Sequence, residues 1–132
     1  MKTRFSQSRQ GFTLVEIMIV VAIIALLASI AVPGFLRARK RSQASRIIND
    51  LRLIDNAVDM YAIENNKAGG APVPVADWTK YIKIGTNLYR TGADILGAPY
   101  GPQTVDLIPK VSASTYAALS DVAPDPFWSP YH

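Results

Sequence analysis

The chain contains no cysteine, and its single histidine is His132. The first absence excludes a disulfide framework, a thiol redox pair and a thiolate metal centre. The second removes a histidine-paired nucleophile and any histidine-rich zinc cluster, so the sequence points away from an enzyme. Proline and glycine are scarce in the first half, since eight of nine prolines and six of eight glycines fall in the last 66 residues. Acid is missing from the first eleven residues, which carry Lys2, Arg4 and Arg9. The formal charge of +4 is therefore misleading: from Ser42 onward seven basic residues face nine acidic ones, a net of −2. That balance lacks the electrostatic footprint of a nucleic-acid binder.

The chain does have a long apolar run. Ile17 to Val32 holds sixteen residues with Ser29 as the only polar member, and Phe12 to Leu36 holds twenty-five with one charge, Glu16. Such a run is long enough to span a bilayer. A secretory signal peptide cleaved near Ser29-Ile30-Ala31 is the competing reading. Glu16 interrupts its apolar core, the run exceeds the usual length, and Arg37, Arg39, Lys40 and Arg41 follow at once. An uncleaved anchor fits better. With three basic residues before the run and four after it, charge does not orient the span. The collar of four suits lipid headgroups and snorkelling better than nucleic acid.

Arg9-Gln10-Gly11 followed by Phe12-Thr13-Leu14-Val15-Glu16 and an apolar helix resembles the processing signature of type IV pilins and the pseudopilins of type II secretion. The likeness covers residues 1 to about 66 well. It joins a short basic leader, a Gly-Phe junction, an acid five positions into the mature chain and an apolar run of suitable length. Where many relatives carry a glycine midway along the helix, this chain has Ala25. Pro33 falls where such pilins often carry a helix-weakening proline. The resemblance implies cleavage after Gly11 by a membrane aspartyl prepilin peptidase on the cytoplasmic side. It also implies methylation of the new amino terminus, Phe12, from S-adenosylmethionine. It further implies an inner-membrane assembly platform with its ATPase, and a single-pass precursor in a bacterial inner membrane with the head outside the cytoplasm. From there the subunit would enter a periplasmic pseudopilus or a surface pilus.

The residues themselves fit that chemistry. Gly11 lacks a side chain and disfavours helix, leaving an accessible backbone for a peptidase. Glu16 lies four residues beyond Phe12, about 6 Å along a helix. A charge at mid-bilayer costs on the order of 3 kcal/mol and is usually functional where retained. The helix dipole returns only about 0.3 to 1 kcal/mol to an acid in the first turn. In packed subunits the Glu16 carboxylate can pair with the Phe12 amine of a neighbour, and the resemblance implies that this contact guides docking and register. Pro33 cannot donate a hydrogen bond to the Ser29 carbonyl, and Gly34 adds freedom, so a kink or weak turn is expected there.

Beyond the collar, Ile47, Leu51, Ile54, Val58 and Tyr61 recur at spacings of four and three, widened by Ala44, Ile48 and Ala57. Arg46, Asn49, Asp50, Arg52, Asp55, Asn56 and Asp59 supply the other face of an amphipathic helix. Joined to the apolar run, it predicts a helix from Phe12 to about Asn66, roughly 80 Å long. The stretch NNKAGGAPVPVAD then reads as a loop. Asp77 is expected to cap a short helix carrying Trp78, Tyr81 and Ile82 and stopped by Gly85. Residues 104 to 109 read as one strand, and Ser112 or Ser114 as the cap of a second short helix. Trp78, Tyr100, Phe127, Trp128 and Tyr131 are read as core aromatics.

The expected fold is α+β: a long N-terminal helix, half transmembrane and half amphipathic, packed on a small, loop-rich head with short helices and little strand. Its segments are the leader 1–11, the filament-core helix 12–36, the amphipathic half 37–66 and the head 67–132. Major pseudopilins carry a carboxylate-lined calcium loop, and Asp94, Asp121 and Asp125 are the weak candidates here for oxygen ligation; no metal site is otherwise expected. The favoured function is a structural filament subunit. Its alternatives are a DNA-uptake pilin, testable by salt-sensitive DNA binding, and a single-span membrane protein that never assembles and so keeps residues 1–11.

Overall fold

The computed structural model describes residues 10–132; Lys2, Arg4 and Arg9 of the leader lie outside the described residues. The chain divides into two compact units, one ending at Leu36 and one running from Arg37 to His132. One helix, α1, covers Leu14–Glu64 without a break, Pro33 and Gly34 included. The proline thus does not end the helix, although its missing N–H deletes one rung of the ladder. The helix stops where the chain turns left-handed at Asn66, with φ 49°. Small polar Asn tolerates that conformation better than most residues.

In the second unit the buried side of α1 is the stripe Ala44, Ile47, Leu51, Ile54, Ala57, Val58 and Ala62. These residues recur every three or four positions, so they share the face on which the head is built. Ile54 to Ala62 pack with Val73, Trp78, Ile82, Leu88 and Val105. Ala44, Ile47 and Leu51 pack with Val111, Leu119, Ala123, Trp128 and Tyr131. Each fully buried aliphatic side chain contributes about 1.5 to 3 kcal/mol. Tyr100 touches both clusters and joins them into one core.

The head is a series of short elements. Strand β1 (Pro72–Val73) pairs antiparallel with β2 (Gln103–Thr104). Between them lie α2 (Val75–Trp78), a 3-10 turn (Thr79–Tyr81) and α3 (Asn87–Thr91). After β2 come α4 (Ala113–Leu119) and α5 (Asp125–Trp128). Thr86 caps α3 by accepting from the Tyr89 N–H at 3.2 Å, and of the two serines it is Ser112 that caps α4, accepting from Thr115 at the same distance. The indole N–H groups of Trp78 and Trp128 donate to the carbonyls of Gly101 and Ala123. Buried tryptophans without such partners would each strand a polar group.

Two expectations need correction. Asp77 does not cap α2: the helix begins two residues earlier, after Pro74, whose fixed φ of −59° suits a helix start. Asp77 instead sits inside the first turn and accepts from Lys80 Nζ at 2.9 Å. The strand expected over 104–109 ends at Thr104, because Asp106 turns left-handed with φ 64° and no ladder can continue through it.

Candidate processing and assembly site

Gln10 to Thr13 precede the first helical residue, Leu14. The Gly11–Phe12 bond therefore lies in non-helical chain. Among the described residues nothing stands within 4 Å of the position a Gly11 Cβ would take, and Phe12 is 87% exposed. The backbone at this bond is thus non-helical and uncrowded, as the glycine favours.

The helix start is fixed by a reciprocal cap. Thr13 Oγ1 accepts from the Glu16 N–H at 3.2 Å, and the Thr13 N–H donates to Glu16 Oε2 at 2.9 Å. Two of the four orphan amides of a helix N-terminus are satisfied in this way. The Thr-x-x-Glu spacing is the signal for such a box, and the reading of Glu16 as a charge awaiting an amine passed over it. Glu16 is thus already held by its own chain, four residues beyond Phe12, and its side chain is exposed.

From Phe12 to Leu36 every residue is exposed, including Ile17, Val21, Ile24, Leu27 and Phe35. The helix is long and apolar enough to cross a membrane. Arg37, Arg39 and Arg41 of the collar are exposed as well. Lys40 is tied down: its Nζ meets Asp121 Oδ2 at 2.9 Å, and this hydrogen bond holds the Asp121 carboxyl below its ordinary range.

The three calcium candidates are not brought together. Asp94 is buried, and its Oδ1 accepts from the N–H groups of Leu96 and Ala98, both at 2.9 Å. Its Oδ2 accepts from Thr115 Oγ1 at 2.5 Å. Asp121 pairs with Lys40, while Asp125 accepts from the Tyr116 hydroxyl and faces His132 Nδ1 at 3.2 Å. Among the described residues no three acidic or histidine side chains converge in a metal-binding group. Asp94 instead shapes the turn from 94 to 98 and anchors it on α4.

Near it, the Tyr100 hydroxyl is buried without a hydrogen-bond partner among the described residues. Burial pushes this phenol well above its ordinary range, and the carboxylates of Asp50 and Asp94 push the same way. Burial also raises the Asp50 carboxyl, with Arg46 opposing and Asp94 adding to the effect. This polar pocket within the core escaped the sequence reading, because residues 50, 94 and 100 share no spacing pattern.

Residues 6–32 match the family described as the prokaryotic N-terminal methylation motif. The type II secretion system core protein G of Klebsiella michiganensis is 36% identical over 61 residues, covering 46% of this chain and 43% of that protein. The core protein G of Escherichia coli is 36% identical over 63 residues, covering 48% and 43%. The type IV major pilin protein PilA of Myxococcus xanthus is 40% identical over 77 residues, covering 53% and 35%. The matched stretch spans less than half the length of these curated relatives. No solved structure matches the chain. Residues 6–32 therefore match a prokaryotic N-terminal methylation motif, on a chain whose similarity runs to the pseudopilins of type II secretion and to the major pilins of type IV pili.

Proposed function

We propose that this chain is the structural subunit of a type IV pilus-like filament or of a type II secretion pseudopilus. The observation that carries this reading is the methylation motif over residues 6–32, set on a fully exposed apolar helix that leads into a packed head. An exposed run of this kind is stable in only two settings, a bilayer or the centre of a bundle of like helices. A subunit that passes from one to the other needs both, and one surface serves both.

In this reading the chain is made as a prepilin and anchored in the inner membrane with its head outside the cytoplasm. A prepilin peptidase cleaves after Gly11 on the cytoplasmic side, and Phe12 becomes the methylated amino terminus. An assembly platform driven by an ATPase then moves the subunit into the filament. Each new amine at Phe12 lies close in depth to the Glu16 carboxylate of a neighbour, so attraction between them opposes wrong register. In hydrocarbon such a pair is worth far more than in water. The protein performs no chemistry of its own and contributes surface.

Mass spectrometry of the mature amino terminus tests the proposal. N-methyl-phenylalanine at Phe12 is expected, together with sedimentable filaments in sheared or membrane fractions. Retention of Met1 in the mature chain would overturn it.

A further inference from the structure

The basic collar does not act as one patch. Arg37 and Arg41 stand four residues apart and share one face of α1, whereas Arg39, two residues from each, points to the opposite side. Lys40 is held by Asp121 Oδ2 at 2.9 Å. Ala38 lies beside the two arginines, and across from them runs the loop that joins α4 to α5. Arg37, Ala38, Arg41, Asp121 and Val122 line a pocket of about 380 Å³ that is open on one side. All five residues belong to the second compact unit, so the pocket is built within it.

Its charge is unbalanced. Lys40 neutralises Asp121, and the Arg37 guanidinium adds to the field that keeps that carboxyl ionised. Among the described residues, Arg37 and Arg41 take part in no ion pair. The pocket thus presents two guanidinium groups beside a carboxylate that is already paired. Guanidinium is the side chain whose planar fork of donors matches the oxygens of a phosphate. Ala38 brings only a methyl group to the lining, which leaves the space between the arginines open, and half-exposed Val122 adds an apolar wall.

We propose that this pocket binds a single anionic phospholipid by its phosphodiester, with Arg37 and Arg41 as the donors and Val122 against the glycerol end of the chains. The sequence places it at the right depth, because Arg37 directly follows Leu36, the last residue of the apolar run. Side chains on a helix tilt toward its N-terminus, which on α1 is the lipid end, so both guanidinium groups lean toward the bilayer. A free phosphate would be drawn by the same two arginines but would leave Val122 without a partner. A zwitterionic lipid would bring its own ammonium into a site of positive charge, and Asp121, the one acid there, is taken by Lys40. The site therefore selects a lipid of net negative charge, beyond the diffuse attraction that any basic collar has for an anionic leaflet.

This inference rests on the membrane anchor of the filament reading and not on assembly. It gives the anchored subunit a defined lipid partner, which the chain must release when it leaves the bilayer.

Native mass spectrometry of the full-length chain tests it, with the chain released from detergent micelles that hold phosphatidylglycerol and phosphatidylcholine in equal amounts. One phosphatidylglycerol is expected to stay bound in preference to phosphatidylcholine. Ala38→Leu fills the pocket, changes no charge and keeps a good helix former at an exposed site. It should lower retention by about tenfold with helix content unchanged in circular dichroism, and Arg37→Gln with Arg41→Gln should do the same. Arg39→Gln removes a like charge outside the pocket and should keep the lipid. Full retention by Ala38→Leu, or equal losses from Arg39→Gln and Arg41→Gln, would reduce the binding to diffuse attraction and overturn the inference. Inorganic phosphate at millimolar concentration should leave the lipid in place; its displacement would assign the pocket to free phosphate and overturn the lipid. The filament reading fails separately, by retention of Met1 in the mature chain, and a lipid still bound to such a chain would leave this site standing.

Discussion

Thr13 and Glu16 cap each other at the start of α1, hydroxyl to amide at 3.2 Å in one direction and amide to carboxylate at 2.9 Å in the other. One side chain thereby acquires two uses. Before assembly the carboxylate closes its own helix; in the proposed filament a lone pair is still free for the amine of a neighbour.

Replacing Glu16 separates them. Glu16→Val subunits should still be cleaved after Gly11, since the scissile bond lies outside the helix, yet fail to enter filaments. Thr13→Ala should remove only the cap, costing about 1 kcal/mol locally and raising amide exchange at Leu14 to Ile17. Filament yield at the level of the unaltered chain in Glu16→Val would contradict the assembly role.

Asp94 should matter to the head by its hydrogen bonds. Asp94→Ala strands the N–H groups of Leu96 and Ala98 and the Thr115 hydroxyl at a buried site. A loss of about 2 to 4 kcal/mol in chemical denaturation is expected. Because both carboxylate oxygens already accept from the protein, calcium at millimolar concentration should leave the melting temperature of the chain unchanged. A rise abolished by Asp94→Ala would restore the calcium reading.

Gly92 closes α3 with φ 60°, and a Cβ there would lie 2.9 Å from Val75 Cγ1. Gly92→Ala therefore combines left-handed strain of about 1 to 2 kcal/mol with a forced shift of the chain at Val75. Thermal unfolding should show a clear drop. Gly70→Ala offers the comparison, because φ is 81° and nothing lies within 4 Å of its Cβ position, so strain acts without the clash.

Asp50 should give an acid its unusual sign. Partial burial raises its carboxyl in the folded state, so between the unfolded and folded pKa the native chain binds more protons than the unfolded one. Its contribution to stability consequently falls as pH rises from the ordinary carboxylate value of 3.8 through the raised folded value, and stays unfavourable above it. Asp50→Asn is expected to raise stability at pH 7 by up to about 1 kcal/mol, since half-exposure screens the charge, and to flatten that part of the pH profile. Denaturation curves at pH 4 and pH 7 would show it; an equal change at both, or a loss at pH 7, would refute it.

The sequence by itself determined the elements whose information is local. The period of Ile47, Leu51, Ile54 and Val58 marks the buried face of α1, and these four are buried. The apolar run and the Gly11–Phe12 junction with Glu16 are equally plain, because a membrane or a peptidase reads the chain over a few consecutive turns. Even the capping box was there to be read in Thr13 and Glu16. Ser112 announced α4, but only packing chose it over Ser114.

Tertiary structure decided the head. Nothing in residues 67–132 has a period long enough to specify a register, and with elements of two to seven residues local propensity is weak against packing. Trp78 and Trp128 set where α2 and α5 lie by filling two ends of one core on α1. Asp106 ended the expected strand by turning left-handed, and Asp94 became a loop anchor once the amides of Leu96 and Ala98 and the Thr115 hydroxyl folded around it. The separation of arginines from aspartates along α1 was written in the sequence. That Asp55 and Asp59 take part in no ion pair among the described residues followed only from where the head settled.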